Sequence, residues 1–326
     1  MKSSVRQVQV DAEHAGVRLD KFLQKQLPGV PFSVIQRIMR SGQVRVNGGR
    51  AKGNRRLEEG ETVRIPPVRL EPKGEGKRVP QDAISRIGAR IIYQDDWILA
   101  INKPAGMPVH GGSGHAWGAV DALQAYLRQQ GVSEERAGEA ELVHRLDKDT
   151  SGVLLFGLRP RAVRRLAESM RDNQLDKRYL ALVKGAPEPK RGEVNQPLSK
   201  GKLQGGERMV VVEQGGQEAR TRYMVKRQWS HDEIDASMVE LQLLTGRTHQ
   251  IRVHMAWLGH PLAGDYKYGE KGFNQQMKSL GWNRLFLHAS RLTLRHPSHG
   301  HSVELHAPLD EPLSDWLKAL DGKDRS

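Results

Sequence analysis

The lengths of the apolar runs decide the fold class of this chain. Beyond residue 90 they are short: Ile91–Tyr93, Trp97–Ile101, Val153–Phe156, Tyr179–Val183, Met209–Val212, Thr221–Val225, Met238–Leu244 and Leu292–Arg295. Such runs, bounded by turn residues, read as strands. Helical patterns are fewer, at Ala119–Arg128, Arg161–Arg171 and His249–Leu258. Strands that do not alternate regularly with helices imply an α+β fold on a mixed, mainly antiparallel sheet. No window approaches the ~18 uninterrupted apolar residues of a membrane span. Met1–Val10 lacks the apolar core of a signal peptide, so a cytoplasmic location with no membrane partner is expected.

Residues 1–70 read as a separate compact unit. Val5–Val10 alternates like a strand. Leu19, Phe22, Leu23 and Leu27 share one face of a helix. Pro31 and Ser33 open a second helix, Val34–Met39, which Gly42 ends. Val44–Asn47 is a strand running into the hairpin signal Asn47-Gly48, and Leu57–Ile65 supplies another. Residues 71–90 are assigned as a linker, because Glu71–Pro80 is charged, contains glycine and has no period. Residues 91–326 form the larger domain.

Charge points to the partner. The net charge is +14, and residues 1–80 carry 17 Lys and Arg against 8 Asp and Glu. A basic excess gathered in one quarter of a chain suits a polyanion, since each phosphate contact releases counterions. With no cysteine, disulfides, thiolate metal sites and cysteine nucleophiles are excluded together.

One segment places an acid inside this basic chain: His144-Arg145-Leu146-Asp147-Lys148-Asp149-Thr150-Ser151-Gly152. Asp, Thr, Ser and Gly are turn residues, so Asp147 reads first as a turn or helix cap. A carboxylate is also a recognised covalent catalyst at sugar carbons, and an enzyme without cysteine needs some such group. His249 and His254 invite a metal reading, but five-residue spacing does not align two ligands on one helix face and no carboxylate completes a set, so no metal is expected. Lys103-Pro104-Ala105-Gly106-Met107 lacks the spacing of a phosphate loop and reads as a loop shaping a cleft.

Four segments in order carry a resemblance. They are Ile101–His110 leading into Gly111–Gly114, the nonapeptide around Asp147, Lys177-Arg178-Tyr179-Leu180-Ala181-Leu182-Val183, and Leu244-Thr245-Gly246-Arg247-Thr248-His249-Gln250-Ile251-Arg252-Val253-His254. With the late segment Asn283–Ala289, the chain resembles the RluA/RluC/RluD-type pseudouridine synthases of ribosomal large-subunit RNA, most of all the RluC type. The first unit looks like an S4-type RNA-binding module, with Arg18, Lys21, Arg37, Arg40 and Arg45 on its RNA face. The resemblance implies a pseudouridine synthase fold and an isomerase acting on uridines of 23S rRNA. Nothing is added or lost in that reaction, so no cofactor is required. It also implies roles. Asp147 is the nucleophile or ion-pair stabiliser, and Arg252 is the cation that keeps it ionised. Tyr179 is a stacking surface for the extruded base that assists its late deprotonation. Arg145 fills the vacancy left in the stem. A monomer without protein partners is expected. A non-catalytic RNA-binding or assembly factor, or a hydrolase of glycosidic bonds, remains as the competing reading.

Overall fold

A computed structural model describes residues 5–27, 29–68, 79–111, 116–204, 207–231 and 234–323. The chain begins with β1 (Arg6–Gln9), α1 (Leu19–Gln26), α2 (Phe32–Arg40), β2 (Arg45–Val46) and β3 (Thr62–Ile65). The strands pair antiparallel in the order β1-β3-β2. Leu19, Phe22, Leu23 and Leu27 bury against Ile35, Ile38, Val44, Val63 and Ile65, a core that these elements keep to themselves. Asn47 and Gly48 both have positive φ, 49° and 77°. Val46 and Gly49 exchange two backbone hydrogen bonds of 2.9 Å across them. This is the two-residue turn that Asn-Gly predicts, in the backbone region those residues tolerate best. The last strand is shorter than expected. Leu57 fills the core, but pairing starts only at Thr62.

The chain continues through α3 (Gln81–Gly88), β4 (Ile91–Gln94), β5 (Ile98–Lys103), α4 (Ala119–Gln129), α5 (Glu134–Gly138), β6 (Glu141–Leu142) and β7 (Ser151–Gly157). Next come α6 (Pro160–Arg171), β8 (Asp176–Lys184), β9 (Arg191–Asn195), β10 (Leu198–Gln204), β11 (Glu207–Val212), β12 (Arg220–His231) and β13 (Ile234–Leu243). The last are α7 (Gln250–Trp257), α8 (Lys271–Ser279), β14 (Leu287–Arg295), β15 (Ser302–His306) and α9 (Glu311–Lys323). The linker expected over 71–90 is therefore helical in its second half. Ala83, Ile84 and Ile87 are buried at helical spacing, and Ile87 joins the cluster of Ala122 and Leu123 on α4. Most of its first half, and Gly112–Gly114, lie outside the described residues.

Ten strands form the main sheet, in the order β4-β5-β7-β14-β8-β13-β12-β9, with β6 added to β7 and β15 to β14. Only β7 and β14 run parallel, with His288 opposite Ser151. Alternation along β5 and β7 sends Leu99, Ile101, Leu154 and Phe156 to one face and Ile98, Ala100, Val153 and Leu155 to the other. Every residue of β7 is buried. The segment that carries Asp147 thus feeds into the most deeply covered strand of the sheet. Gly152 permits this. Its φ is +109°, and a Cβ there would lie 2.2 Å from the Ala289 carbonyl oxygen on β14. Strands β9 (Arg-Gly-Glu-Val-Asn) and β10 (Leu-Ser-Lys-Gly-Lys-Leu-Gln) are too polar for the apolar pattern to mark them.

Candidate active site

Asp147 lies on the loop from β6 to β7. Its carbonyl accepts the Thr150 N–H at 3.2 Å, so the turn reading of the sequence is met by the backbone. Its carboxylate remains available, with the side chain 32% exposed. Several buried groups fix this loop. The neutral His144 ring accepts the Leu155 N–H at Nε2 (3.2 Å), and Ser151 Oγ meets His288 Nδ1 at 2.9 Å. Lys103, fully buried, donates from Nζ to the carbonyls of Pro104 (3.0 Å), Met107 (3.0 Å) and Lys148 (2.9 Å). Three carbonyls match the three donors of an ammonium. Burial draws Lys103 down to about 7, while the charges of Asp149 and Asp147 pull the other way. The loop that the sequence placed at the cleft is thereby tied to the Asp147 loop.

Burial, helped by the charge of Lys177, lowers His144 to about 4, against a backbone hydrogen bond with Arg145. Burial also lowers His254 and His288. A base with a depressed folded pKa contributes stability above its unfolded pKa and loses it as pH falls. The melting temperature is therefore expected to fall as pH drops from 6.5 towards about 4. His144→Gln should flatten that slope in a thermal-unfolding series; an unchanged slope would remove His144 as its source.

Arg252 reaches the carboxylate from α7. Its Nη1 is 3.5 Å from Asp147 Oδ2, the outer edge of a hydrogen bond. Its stronger partner is Asp265, bound through Nε (2.7 Å) and Nη2 (2.8 Å). Burial alone would raise the Asp265 carboxyl. The bonds and charge of Arg252, with the N–H groups of Tyr268 and Lys267, hold it below the ordinary value instead. This bidentate clamp fixes the guanidinium and leaves one nitrogen for Asp147. Gln250 locks the start of the same helix: its Oε1 accepts from Thr245 Oγ1 (2.8 Å) and the Arg247 N–H (3.0 Å). His249 precedes it in left-handed backbone, φ 54° and ψ 18°. Its Nε2 is 3.7 Å from Asp147 Oδ2, and its Nδ1 is 2.8 Å from the Tyr268 hydroxyl.

Two cavities meet at Asp147. An outer cleft of about 940 Å³ is lined by Lys148, Met209, Tyr266, Lys267 and Arg284 among others. An inner pocket of about 330 Å³ is walled by Lys177, Tyr179, Leu243, Ile251 and Leu287. Asp147, Arg145, His249 and Arg252 border both. Tyr179 is 7% exposed and belongs to the main core, so it packs the interior and walls the pocket together. Burial, then the charge of Asp147, raises its hydroxyl well above the usual range, which keeps it a neutral phenol. The exposed side chain of Arg145 makes no hydrogen bond or ion pair among the described residues.

The structure thus gathers Asp147, Arg252, Tyr179 and Arg145 at one place. The basic residues of the first unit stand apart from it. Lys21, Arg37 and Arg40 are exposed, Arg45 is half-buried on β2, and Arg18 is bound to Asp20 at 3.1 and 2.5 Å. That unit meets the larger domain just before the Asp147 loop, through His14 with Glu139 (3.9 Å) and Lys25 with Glu141 (3.2 Å), and on α6, through Arg164 with the Ala15 carbonyl. No group of three or more metal-ligating side chains occurs among the described residues. His254 is a satisfied core histidine, bound to Thr221 Oγ1 and the Gln196 carbonyl at 2.9 Å each. Asp265 and Tyr268 were not among the residues singled out in the sequence; Lys103 entered only as part of a cleft-shaping loop, and His249, beyond its place in the fourth motif, only as a metal ligand. Gly264-Asp265-Tyr266-Lys267-Tyr268-Gly269, an acid between glycines and tyrosines after an apolar run, was the available signal.

Comparison with known proteins gives these features a family. The RNA pseudouridylate synthase profile matches residues 97–257, and the S4 domain profile matches residues 17–63. The chain belongs to the RNA pseudouridylate synthase family: it is an RNA-modifying isomerase with the pseudouridine synthase fold and an N-terminal S4 module. It is 45% identical over 320 residues, 97% of each chain, to ribosomal large subunit pseudouridine synthase C of Escherichia coli (strain K12). Identity to the protein of the same name in Haemophilus influenzae is 41% over 321 residues, 98% of this chain and 96% of that one. Among solved structures, human RNA pseudouridylate synthase domain containing 4 superposes with a TM-score of 0.59 at 27% identity, covering 73% of this chain and 95% of that one.

Proposed function

We propose that this enzyme isomerises specific uridines of large-subunit (23S) ribosomal RNA, with Asp147 as nucleophile. The observation that carries the reading is the position of Asp147 between a wide basic cleft and a small aromatic-walled pocket, beside a clamped arginine. An RNA strand lies in the outer cleft, and the target uridine is extruded into the inner pocket. Leaving the stack costs a few kcal/mol. Arg145, whose side chain makes no hydrogen bond or ion pair among the described residues, occupies the gap and stacks on the neighbouring bases. Tyr179 supports the uracil as a neutral phenol. The Asp147 carboxylate, 3.5 Å from Arg252 Nη1, acts on the anomeric carbon as the nitrogen–carbon bond breaks. The base turns within the pocket and rebonds through carbon. Residues 1–70 work as the RNA-gripping unit and residues 91–326 as the catalytic domain, in a cytoplasmic monomer.

Chemical mapping of pseudouridine across rRNA and tRNA, with and without the protein, tests the substrate. New signals confined to large-subunit rRNA support it; signals confined to tRNA contradict it. A second prediction concerns the first unit. Alanine at Lys21, Arg37 and Arg40 together should weaken RNA binding and reduce the slope of log affinity against log salt by about 1 for each phosphate no longer neutralised. An unchanged slope would remove these residues from the RNA face.

A further inference from the structure

Tyrosines at a protein surface are ordinary, and exposure alone assigns them nothing. Tyr266 differs in where it stands and how it is held. It is 71% exposed, the most exposed large apolar or aromatic side chain among the described residues. It lines the outer cleft beside Asp147, and no other Tyr, Phe or Trp among the described residues does so. Phe32 and Trp257 are exposed as well, but they line neither of the cavities that meet at Asp147.

The backbone under Tyr266 is fixed on both sides. Asp265 Oδ1 accepts the N–H groups of Lys267 (2.9 Å) and Tyr268 (3.0 Å), and the Asp265 carbonyl accepts the Gly269 N–H (2.9 Å). The buried amide of Asn274 closes the other end. It accepts the Gly264 N–H and donates to the Asp265 carbonyl, at 2.9 Å each. The segment is thus a turn wound around the Asp265 carboxylate. The acid points inward and clamps Arg252, while the next residue points outward into the cleft. The Tyr266 hydroxyl donates to the Asn283 carbonyl at 3.3 Å, which tethers the far edge of the ring. A ring restrained in this way loses little freedom when a flat group lies on it.

We propose that Tyr266 is a stacking platform for an unpaired nucleobase of the RNA other than the target uracil; the proposal rests on the function inferred above. Its surroundings select the ligand. Arg145, Lys148 and Lys267 line the same cleft and draw phosphates to it. An aromatic face among such cations is the combination that holds single-stranded nucleic acid: the cations track the backbone and the ring takes a base. The cleft has almost three times the volume of the inner pocket, about 940 against about 330 Å³, so it admits nucleotides besides the extruded one. Because Asp265 and Tyr266 are consecutive in one rigid turn, a base on Tyr266 is held in register with Arg252 and Asp147. Stacking uses the face of a base and not its edges, so the site demands an unpaired base and tolerates any of the four.

The test uses the full-length enzyme and a synthetic stem-loop of 23S rRNA around a uridine that it modifies, with abasic sites placed one at a time at the surrounding nucleotides. Tyr266→Ala should raise Kd and KM by roughly 5–150-fold, the loss of one base–aromatic stack, while kcat and the melting temperature hold. One abasic site should weaken binding by the wild type to the same degree and by Tyr266→Ala no further. Exchanging the base at that site should cost less affinity than removing it. Tyr266→Phe keeps the face of the ring and should recover most of the loss. Wild-type affinity in Tyr266→Ala overturns the proposal. So does a loss that multiplies with every abasic site, and so does one that Tyr266→Phe shares in full, which marks the hydroxyl as a structural tether. If the modified uridine proves to lie in tRNA, the reading of the substrate fails, and the same cycle on that stem-loop still decides the role of Tyr266.

Discussion

Asp147→Asn is expected to lower pseudouridine formation by on the order of 10⁴-fold, the scale seen when one member of a catalytic unit is removed. The change is almost isosteric. Asparagine suits the turn, and the Thr150 N–H bond goes to the backbone of residue 147 and survives. What disappears is the charged oxygen between Arg252 and His249. RNA affinity should hold or rise, because a negative charge leaves a cleft lined by Arg145, Lys148 and Lys267. Single-turnover conversion beside a filter-binding titration separates the two effects. Retained conversion would remove Asp147 from the chemistry; a parallel loss of binding would make it a structural brace.

The second large effect belongs to Asp265, which acts on Asp147 through Arg252. Asp265 is 1% exposed and carries the bidentate bond to Arg252. Breaking a buried pair by neutralising one partner costs about 3–5 kcal/mol, because the other charge is left uncompensated. Asp265→Asn should therefore lower stability by that amount in urea unfolding. Activity should fall as well, since a released Arg252 is drawn onto the nearest remaining carboxylate, Asp147. The double variant Arg252→Met, Asp265→Leu removes both charges and should regain much of the stability. It should not regain activity, because the guanidinium 3.5 Å from Asp147 is gone. A stable and active double variant would show that the pair serves folding alone.

The class of the fold was legible because strand and helix leave different periods in apolar residues, and β5, β7, β8 and α4 are apolar enough to show them. Strand β9 and helix α3 were not: one is polar at an edge of the sheet, the other adjoins a charged stretch that masks three buried apolar positions. At the site, Asp147 stood out as an acid in a basic chain, although by itself it passed for a turn, and a turn is also what its backbone forms. Arg252 lies 105 residues away in sequence and could be joined to it only through the family resemblance. The pairing of Asp265 with Arg252 was illegible for a physical reason. The partner of a buried cation is chosen by three-dimensional packing, and no local period announces it. Lys103 was read as part of a cleft loop, but nothing in the sequence said that its ammonium would be buried under three carbonyls.

The decisive question is whether Asp147 rearranges a glycosidic bond, cleaves it or merely contacts RNA. Nucleoside analysis of 23S rRNA made without modifications, after incubation with the wild-type enzyme and with Asp147→Asn, answers it most directly. Pseudouridine and no free uracil from the wild type, and neither from the variant, is the predicted result. Free uracil from the wild type, or pseudouridine formed equally well by Asp147→Asn, would contradict the role inferred for Asp147.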